Sequence, residues 1–335
     1  MMTAADAADI VRLLKTLPEK PFLKGTSRSW WPKYFYHYTD INNAVRVVKA
    51  GKLISRSMLE KMGAMPVDNA SPEILKATRP RVKDYVRLYF RPRTPTQWHN
   101  EGMRPVAARP ALHAHCPVPI FFLFNAEKFI STTDCYFSEG NMAASNVIAH
   151  QSATSFKFLP FNQIYHEGSL YGMSGGEKRQ VIFHRNAEII VPDELSLESL
   201  EFLFCRSPAE KETLVHLLPE KLRQRWAPRI VVDSKLNLFF RSWSFVETVS
   251  LGPDVVKFTF FPDSMTPGPF DLKYETVDTR TLGRYSFNDP AYQIGKVPLS
   301  IRVPTRVYDY EVKLRLGDDL AYHNAYKQVI VDVPW

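Results

Sequence analysis

A chain of 335 residues, 45% of them hydrophobic and 23% charged, can bury a sizeable core and exceeds the usual size of one domain, so a globular protein of two domains is expected. Three well-separated cysteines, Cys116, Cys135 and Cys205, fit neither a disulfide framework nor paired metal knuckles. With no signal-like or membrane-length apolar run, they point to a soluble, unprocessed chain in a reducing cytoplasm. The net charge of +8 is local: residues 20–109 carry 18 Lys and Arg against 6 Asp and Glu, and the remainder carries 25 against 29.

In chain order, residues 4–17 read as an amphipathic helix with Ile10, Leu13, Leu14 and Leu17 on one stripe, ended by Pro18. Residues 33–39, KYFYHYT, read as a strand that leaves His37 and Thr39 at its end; Asp40 then caps a helix that Gly51 stops. Ser71-Pro72-Glu73 opens a short helix towards Ala77. In the basic segment 79–102 a strand is expected over 85–90, and Pro92 and Pro95 stiffen the loop after it. The apolar run 118–124 is a buried strand, with Asn125 as the cap of the turn that follows. Residues 138–176 are polar, and loops with short helices are expected there, lying over a site; 200–205 is another strand. Ser207-Pro208-Ala209-Glu210 is a capping box opening a helix, and Pro219 and Pro228 bracket a short basic one. Beyond Arg229 β-favouring runs recur at 238–251, 255–261, 270–277, 307–316 and 327–333, so a sandwich-like module is expected after a boundary near Pro228.

Some motifs carry less than they promise. Residues 173–180, MSGGEKRQ, resemble the signature loop of ABC-type ATPases, but that loop works beside a P-loop, and the chain has no GKS or GKT segment and no GxGxxG. His113, His115 and Cys116 are compact enough to touch a metal, yet no second cluster completes four ligands, so no metal is expected. The basic block is interleaved with Trp30, Trp31, Tyr34, Phe35, Tyr36, Tyr85, Tyr89, Phe90 and Trp98, which suits a polyanion whose bases stack. Charge alone fits a solvated basic face over an aromatic core equally well. Glu188 stands inside the strand-like run Ala187, Ile189, Ile190, Val191, where a carboxylate must face water, pair with a cation or do chemistry.

Three segments, YHYT at 36–39, KDYVRLYFRPRTP at 83–95 and RNAEIIV at 185–191, in this order and spacing resemble the DarT-type ADP-ribosyltransferases, toxins that modify single-stranded DNA with NAD. The resemblance covers roughly residues 30–225. It implies an α+β fold, a split mixed sheet with peripheral helices, over residues 1–228, with the all-β module of 229–335 outside it. It makes Glu188 the catalytic glutamate and His37, Tyr38 and Thr39 ligands of NAD, with Tyr89 and Phe90 walling the nicotinamide pocket. An arginine between the first two motifs is also required; Arg79 is the better placed and Arg81 the alternative, otherwise an NAD contact. Arg87, Arg91, Arg93, Trp98, His99, Lys178 and Arg179 are assigned to nucleic acid, and the segment 175–185 to a substrate-side loop. This chain departs from the family where Arg87-Leu88 replaces a commoner Pro-aromatic pair and where Thr96 to Asn100 follow the turn.

The chemistry agrees with the resemblance. Breaking the bond between nicotinamide and ribose leaves an oxocarbenium-like centre that a carboxylate stabilises, an arginine holds pyrophosphate, and a base acceptor must be unpaired to reach the site. The expectation is ADP-ribose transfer from NAD to a base of single-stranded nucleic acid, DNA favoured and RNA kept as an alternative. The family adds a toxin or phage-defence setting and an antitoxin with a macrodomain. A non-catalytic binding module on a degenerate scaffold is the competing reading.

Overall fold

The computed structural model describes residues 2–63, 80–109, 115–144, 147–304 and 307–328. Among these, seven strands build the central sheet: β1 (Tyr34–Asp40), β3 (Tyr85–Tyr89), β4 (Pro119–Asn125), β5 (Tyr136–Ser138), β6 (Glu188–Pro192), β8 (Leu200–Phe204) and β9 (Ile230–Val231). Their order is β5-β6-β3-β1-β4-β8-β9, antiparallel except for the β8–β9 pair, which makes the sheet mixed. Two short strands, β2 (Lys52–Ile54) and β7 (Glu194–Ser196), pair as a separate ribbon.

The run IFFLF in β4 is continuous because both faces of the sheet are covered. Ile120, Phe122 and Phe124 face one core with Phe35, Leu88, Phe90 and Ile189, under the helices Ala4–Thr16, Ile41–Ala50 and Ala126–Thr132. Phe121 and Leu123 face the other side with Tyr36, Phe204, Leu238 and Phe239. Each such side chain removed from water is worth about 2–3 kcal/mol. The helix Ile41–Ala50 starts because Asp40 accepts the Asn42 amide at 2.9 Å, and stops at Gly51, whose φ of 71° suits a residue without Cβ.

The C-terminal part is two packed antiparallel sheets. One has the order β10 (Val246–Leu251), β11 (Val255–Phe260), β14 (Leu299–Arg302); the other β13 (Arg284–Tyr292), β12 (Phe270–Asp278), β15 (Asp309–Leu316), β16 (Asp319–Lys327). Phe258 of the first meets Tyr274 and Tyr322 of the second edge to face, with ring centroids 6.1 and 5.8 Å apart. The helix Pro208–Leu217 lies along the edge strands of both sheets: Ser207 Oγ donates to the Val246 carbonyl at 2.6 Å, and the His323 amide donates to Thr213 Oγ1 at 3.1 Å.

Several expectations are corrected. The central sheet runs past Pro228, because Ile230 pairs with Leu203, and residues 236–245 return onto its face through Leu238 and Phe239 rather than starting a strand at 238. Strand β13 escaped the sequence reading: it is an edge strand, almost wholly exposed, and tolerates Pro290 and Asn288 for that reason. Residues 175–184, expected as a loop, are a helix, because Ser174 and Glu177 close a reciprocal capping box. The helix expected after Ser71 and most of the strand expected at 327–333 lie outside the described residues.

Candidate active site

The site begins where the sheet splits. Strands β1 and β3 share only the register Tyr36↔Tyr89; beyond it, His37 fills the place of the missing ladder, with Nδ1 3.0 Å from the Arg87 carbonyl. A carbonyl only accepts, so Nδ1 carries the proton and Nε2 keeps its lone pair. Burial holds the His37 pKa below its ordinary value, which favours this neutral form.

Alternation along the strands decides what faces the split. Val86 and Leu88 of β3, and Phe90 just after it, enter the core, so Arg87 and Tyr89 take the opposite face. Glu188, opposite Tyr89 in the ladder, shares that face and is 0% exposed. Arg87 grips it as a fork. Nε lies 3.1 Å from both carboxylate oxygens, and Nη2 donates to Oε1 and to Asn141 Oδ1, the latter at 2.8 Å. The Met142 amide donates to Oε2 at 3.1 Å. Burial pushes the Glu188 carboxyl above its ordinary 4.5, while the guanidinium and this amide pull it back. Four donor contacts now occupy the carboxylate's lone pairs, so a substrate hydroxyl reaches it only by displacing one of them.

Around this pair stand aromatic rings and a polar turn. Tyr38 and Tyr89 stack with centroids 6.3 Å apart and planes 23° from parallel. Burial and the Glu188 charge push the Tyr89 phenol up to about 12, so it is a neutral donor. Thr96 Oγ1 donates to Asn186 Oδ1 at 3.0 Å, tying the turn after β3 to the residues leading into Glu188. Thr39 is buried and its Oγ1 accepts from Asn43 Nδ2 at 3.3 Å.

The structure brings His37, Tyr38, Tyr89, Arg87 and Glu188 together; other expected residues lie elsewhere. Arg79 lies outside the described residues, as does the side chain of Arg81, which belongs to the turn Pro80–Asp84. Phe90 is 0% exposed and packs on Phe35 at 5.7 Å, so it is core and not a pocket wall. Arg87, expected to contact nucleic acid, has its fork taken by Glu188. Arg91 is corrected likewise: its buried guanidinium donates to the Ile164, His166 and Pro92 carbonyls and to Glu167, tying down residues 164–167. Arg93 is half-buried, 3.3 Å from Glu167 Oε1 and 4.8 Å over the Phe240 ring. Trp98 meets Phe240 and Trp243, at 5.0 and 5.8 Å. His99, Lys178 and Arg179 are exposed.

Sequence reasoning missed Asn141, the Met142 amide, Phe240 and Trp243. A backbone amide has no residue signature, and the two aromatics hid in a stretch that reads as a strand. Cys116 is buried and His115 Nε2 sits 2.8 Å from Asp319 Oδ2, within hydrogen-bond distance. Among the described residues no helix is long and apolar enough to cross a membrane.

The solved structure of Thermus sp. 2.9 DarT in complex with ADP-ribosylated ssDNA is similar with a TM-score of 0.47 and 17% identity, covering 62% of this chain and 97% of that one. The complex of Thermus sp. 2.9 DarT with NAD+ gives 0.45 and 17%, with 62% and 98% covered. Thermosipho africanus DarTG in complex with ADP-ribose gives 0.43 and 16%, with 65% and 53% covered. No curated protein sequence matches the chain. The family model described as "ssDNA thymidine ADP-ribosyltransferase, DarT" matches residues 36–240, more than half of the sequence, and the chain belongs to that family of NAD-dependent ADP-ribosyltransferases.

Proposed function

We propose that this chain transfers ADP-ribose from NAD to a base of single-stranded DNA, thymidine first among the candidates because the family is described by that activity, and that it does so as a toxin or defence effector. The observation that carries the reading is a fully buried carboxylate, Glu188, held by an arginine beside the split between β1 and β3. When the carbon–nitrogen bond to nicotinamide breaks, the electron pair leaves with nicotinamide and the ribose carbon becomes cationic. Glu188 stabilises that cation or accepts a hydrogen bond from a ribose hydroxyl; a ring nitrogen of the base forms the new bond to the ribose carbon, and the proton it gives up passes to the Glu188 carboxylate or to water. Neutral His37, fixed by its bond to the Arg87 carbonyl, offers Nε2 as an acceptor to the nucleotide. Arg87 loosens from Glu188 as substrate arrives, because the carboxylate has no spare lone pair while gripped.

For the DNA we propose the surface made by Trp98, Phe240 and Trp243 with Arg93, rings for a base and a cation for its phosphate. Arg93→Ala is expected to weaken binding of a thymidine oligonucleotide about tenfold and to lower the salt slope by about 0.7, the share of one phosphate contact. Fluorescence anisotropy at several salt concentrations measures both; an unchanged slope removes Arg93 from the interface.

The transfer itself is tested by incubating the full chain with NAD and each of the four DNA and four RNA homopolymers, then reading mass. A gain of one ADP-ribose on DNA containing thymidine is expected; modification confined to RNA, or none, overturns the reading. Millimolar NAD is expected to raise the melting temperature, corresponding to about 1.4 kcal/mol at tenfold excess over Kd. An absent shift favours the non-catalytic binding module. A toxin halts growth on induction, relieved by co-expressing a macrodomain antitoxin that removes the ADP-ribose; unaffected growth with an active enzyme removes the toxin assignment.

A further inference from the structure

Away from the split sheet, three side chains distant in sequence converge where the helix Pro208–Leu217 lies on β15 and β16. His216 Nε2 is 3.0 Å and His323 Nε2 is 2.8 Å from the same atom, Glu311 Oε1, and the two rings meet with centroids 4.6 Å apart. Among the described residues this is the group of His, Cys, Asp and Glu side chains whose ligand atoms all lie within 4.8 Å of one another. We propose that His216, Glu311 and His323 bind one divalent transition-metal ion, zinc(II) by class, which pins the last long helix of the catalytic half to the β-module.

The backbones that carry the three ligands are already held in place. The His323 amide donates to Thr213 Oγ1 at 3.1 Å, one helical turn before His216. Its neighbour Tyr322 donates its hydroxyl to Glu212 at 2.6 Å. Glu311 lies on β15, paired with Ala325 of β16. A metal therefore meets a formed site and spends little of its binding free energy on ordering the chain.

The donor set selects the ion. Two imidazole nitrogens and one carboxylate oxygen suit zinc, with water in the fourth position, and suit the oxygen-seeking calcium and magnesium poorly. Tetrahedral bonds of about 2.1 Å place ligand atoms about 3.4 Å apart. The two observed edges, 2.8 and 3.0 Å, widen to that by a few tenths of an ångström when the two Nε2 protons leave. Side-chain exposures of 19% for His216, 12% for His323 and 42% for Glu311 leave an entry path from solvent. Lys313, across the ladder from His323, works against a cation here, and the Glu311 carboxylate offsets it. The competing account is a purely hydrogen-bonded clamp, in which both imidazoles donate to Glu311 and no metal is needed.

The test uses the full, untagged chain, stripped with chelator and dialysed. Isothermal titration with zinc is expected to show one tight equivalent, with a higher melting temperature, and cobalt(II) at the same site is expected to show the visible absorption of a four-coordinate ion. Glu311→Gln keeps the size of the side chain and His216→Asn keeps a polar one at a half-buried position, and each is expected to lose the stoichiometric binding and the cobalt spectrum while melting as a single folded species without metal. Absence of stoichiometric zinc binding in the wild type, or identical binding in both variants, overturns the site and leaves the hydrogen-bonded clamp.

Discussion

Glu188→Gln is expected to lower transfer of ADP-ribose by roughly 1,000-fold or more while the chain still folds, because the substitution keeps the shape and removes the charge that meets the cationic ribose. The buried slot makes the expectation sharper than for a surface carboxylate. Gln accepts from Arg87 through its oxygen, and its amide nitrogen then faces the Met142 amide, a donor against a donor in place of the present 3.1 Å bond. A stability loss of about 1–2 kcal/mol follows from that mismatch. Arg87, 30% exposed, recovers part of its lost pairing from water. Mass measurement of thymidine oligonucleotides after incubation with NAD, beside urea denaturation of both proteins, separates the two effects. Equal product from wild type and variant sinks the assignment of Glu188, whereas an unfolded variant calls for Glu188→Asp, which retains the charge at a shorter reach and is expected to keep measurable transfer.

How far the site was legible in the sequence follows from the range of each interaction. His37 sits in a strand that ends at a cap, and both features are local, so its position at the sheet's split could be read. The two faces of β3 were also available: Arg87 and Tyr89 are two residues apart and share a face, which places Phe90 on the other, in the core. Pairing Tyr89 with Phe90 as one wall overlooked that period. The partner of Glu188 was beyond reach of local rules, since Arg87 lies 101 residues upstream and only the β3–β6 register joins them. The same holds for the boundary near Pro228, where β9 adds to the sheet in parallel and residues 236–245 fold back as irregular chain. Neither proline nor composition marks such a return. Arg91 misled for a different reason: a basic residue beside prolines reads as a phosphate contact, yet its guanidinium serves the carbonyls of Pro92, Ile164 and His166 and the carboxylate of Glu167, groups that would be costly to bury without partners.

Arg87 is the side chain that grips Glu188, so its role is open to a decisive substitution. Arg87→Leu removes one member of a buried pair and leaves Glu188, 0% exposed, with the Met142 amide as its remaining described donor. Removing one partner of such a pair costs about 3 kcal/mol at neutral pH, the low end of the usual range because the arginine is itself partly solvated. The pH dependence identifies the cause. Burial already holds the Glu188 pKa above its ordinary 4.5, and loss of the guanidinium raises it further. Between the unfolded value and that raised folded value the native state holds a proton the unfolded chain has lost, so stability falls as pH rises, by about 1.4 kcal/mol per unit. The variant is therefore expected to approach wild-type stability near pH 4.5 and to fall behind it towards pH 7. Transfer by the variant needs an ionised Glu188, so the acid limb of its rate profile moves to higher pH. Urea denaturation at a series of pH values, with initial rates alongside, checks both. A stability loss of the same size at every pH means that Arg87 contributes packing alone and that Glu188 owes its charge to other neighbours.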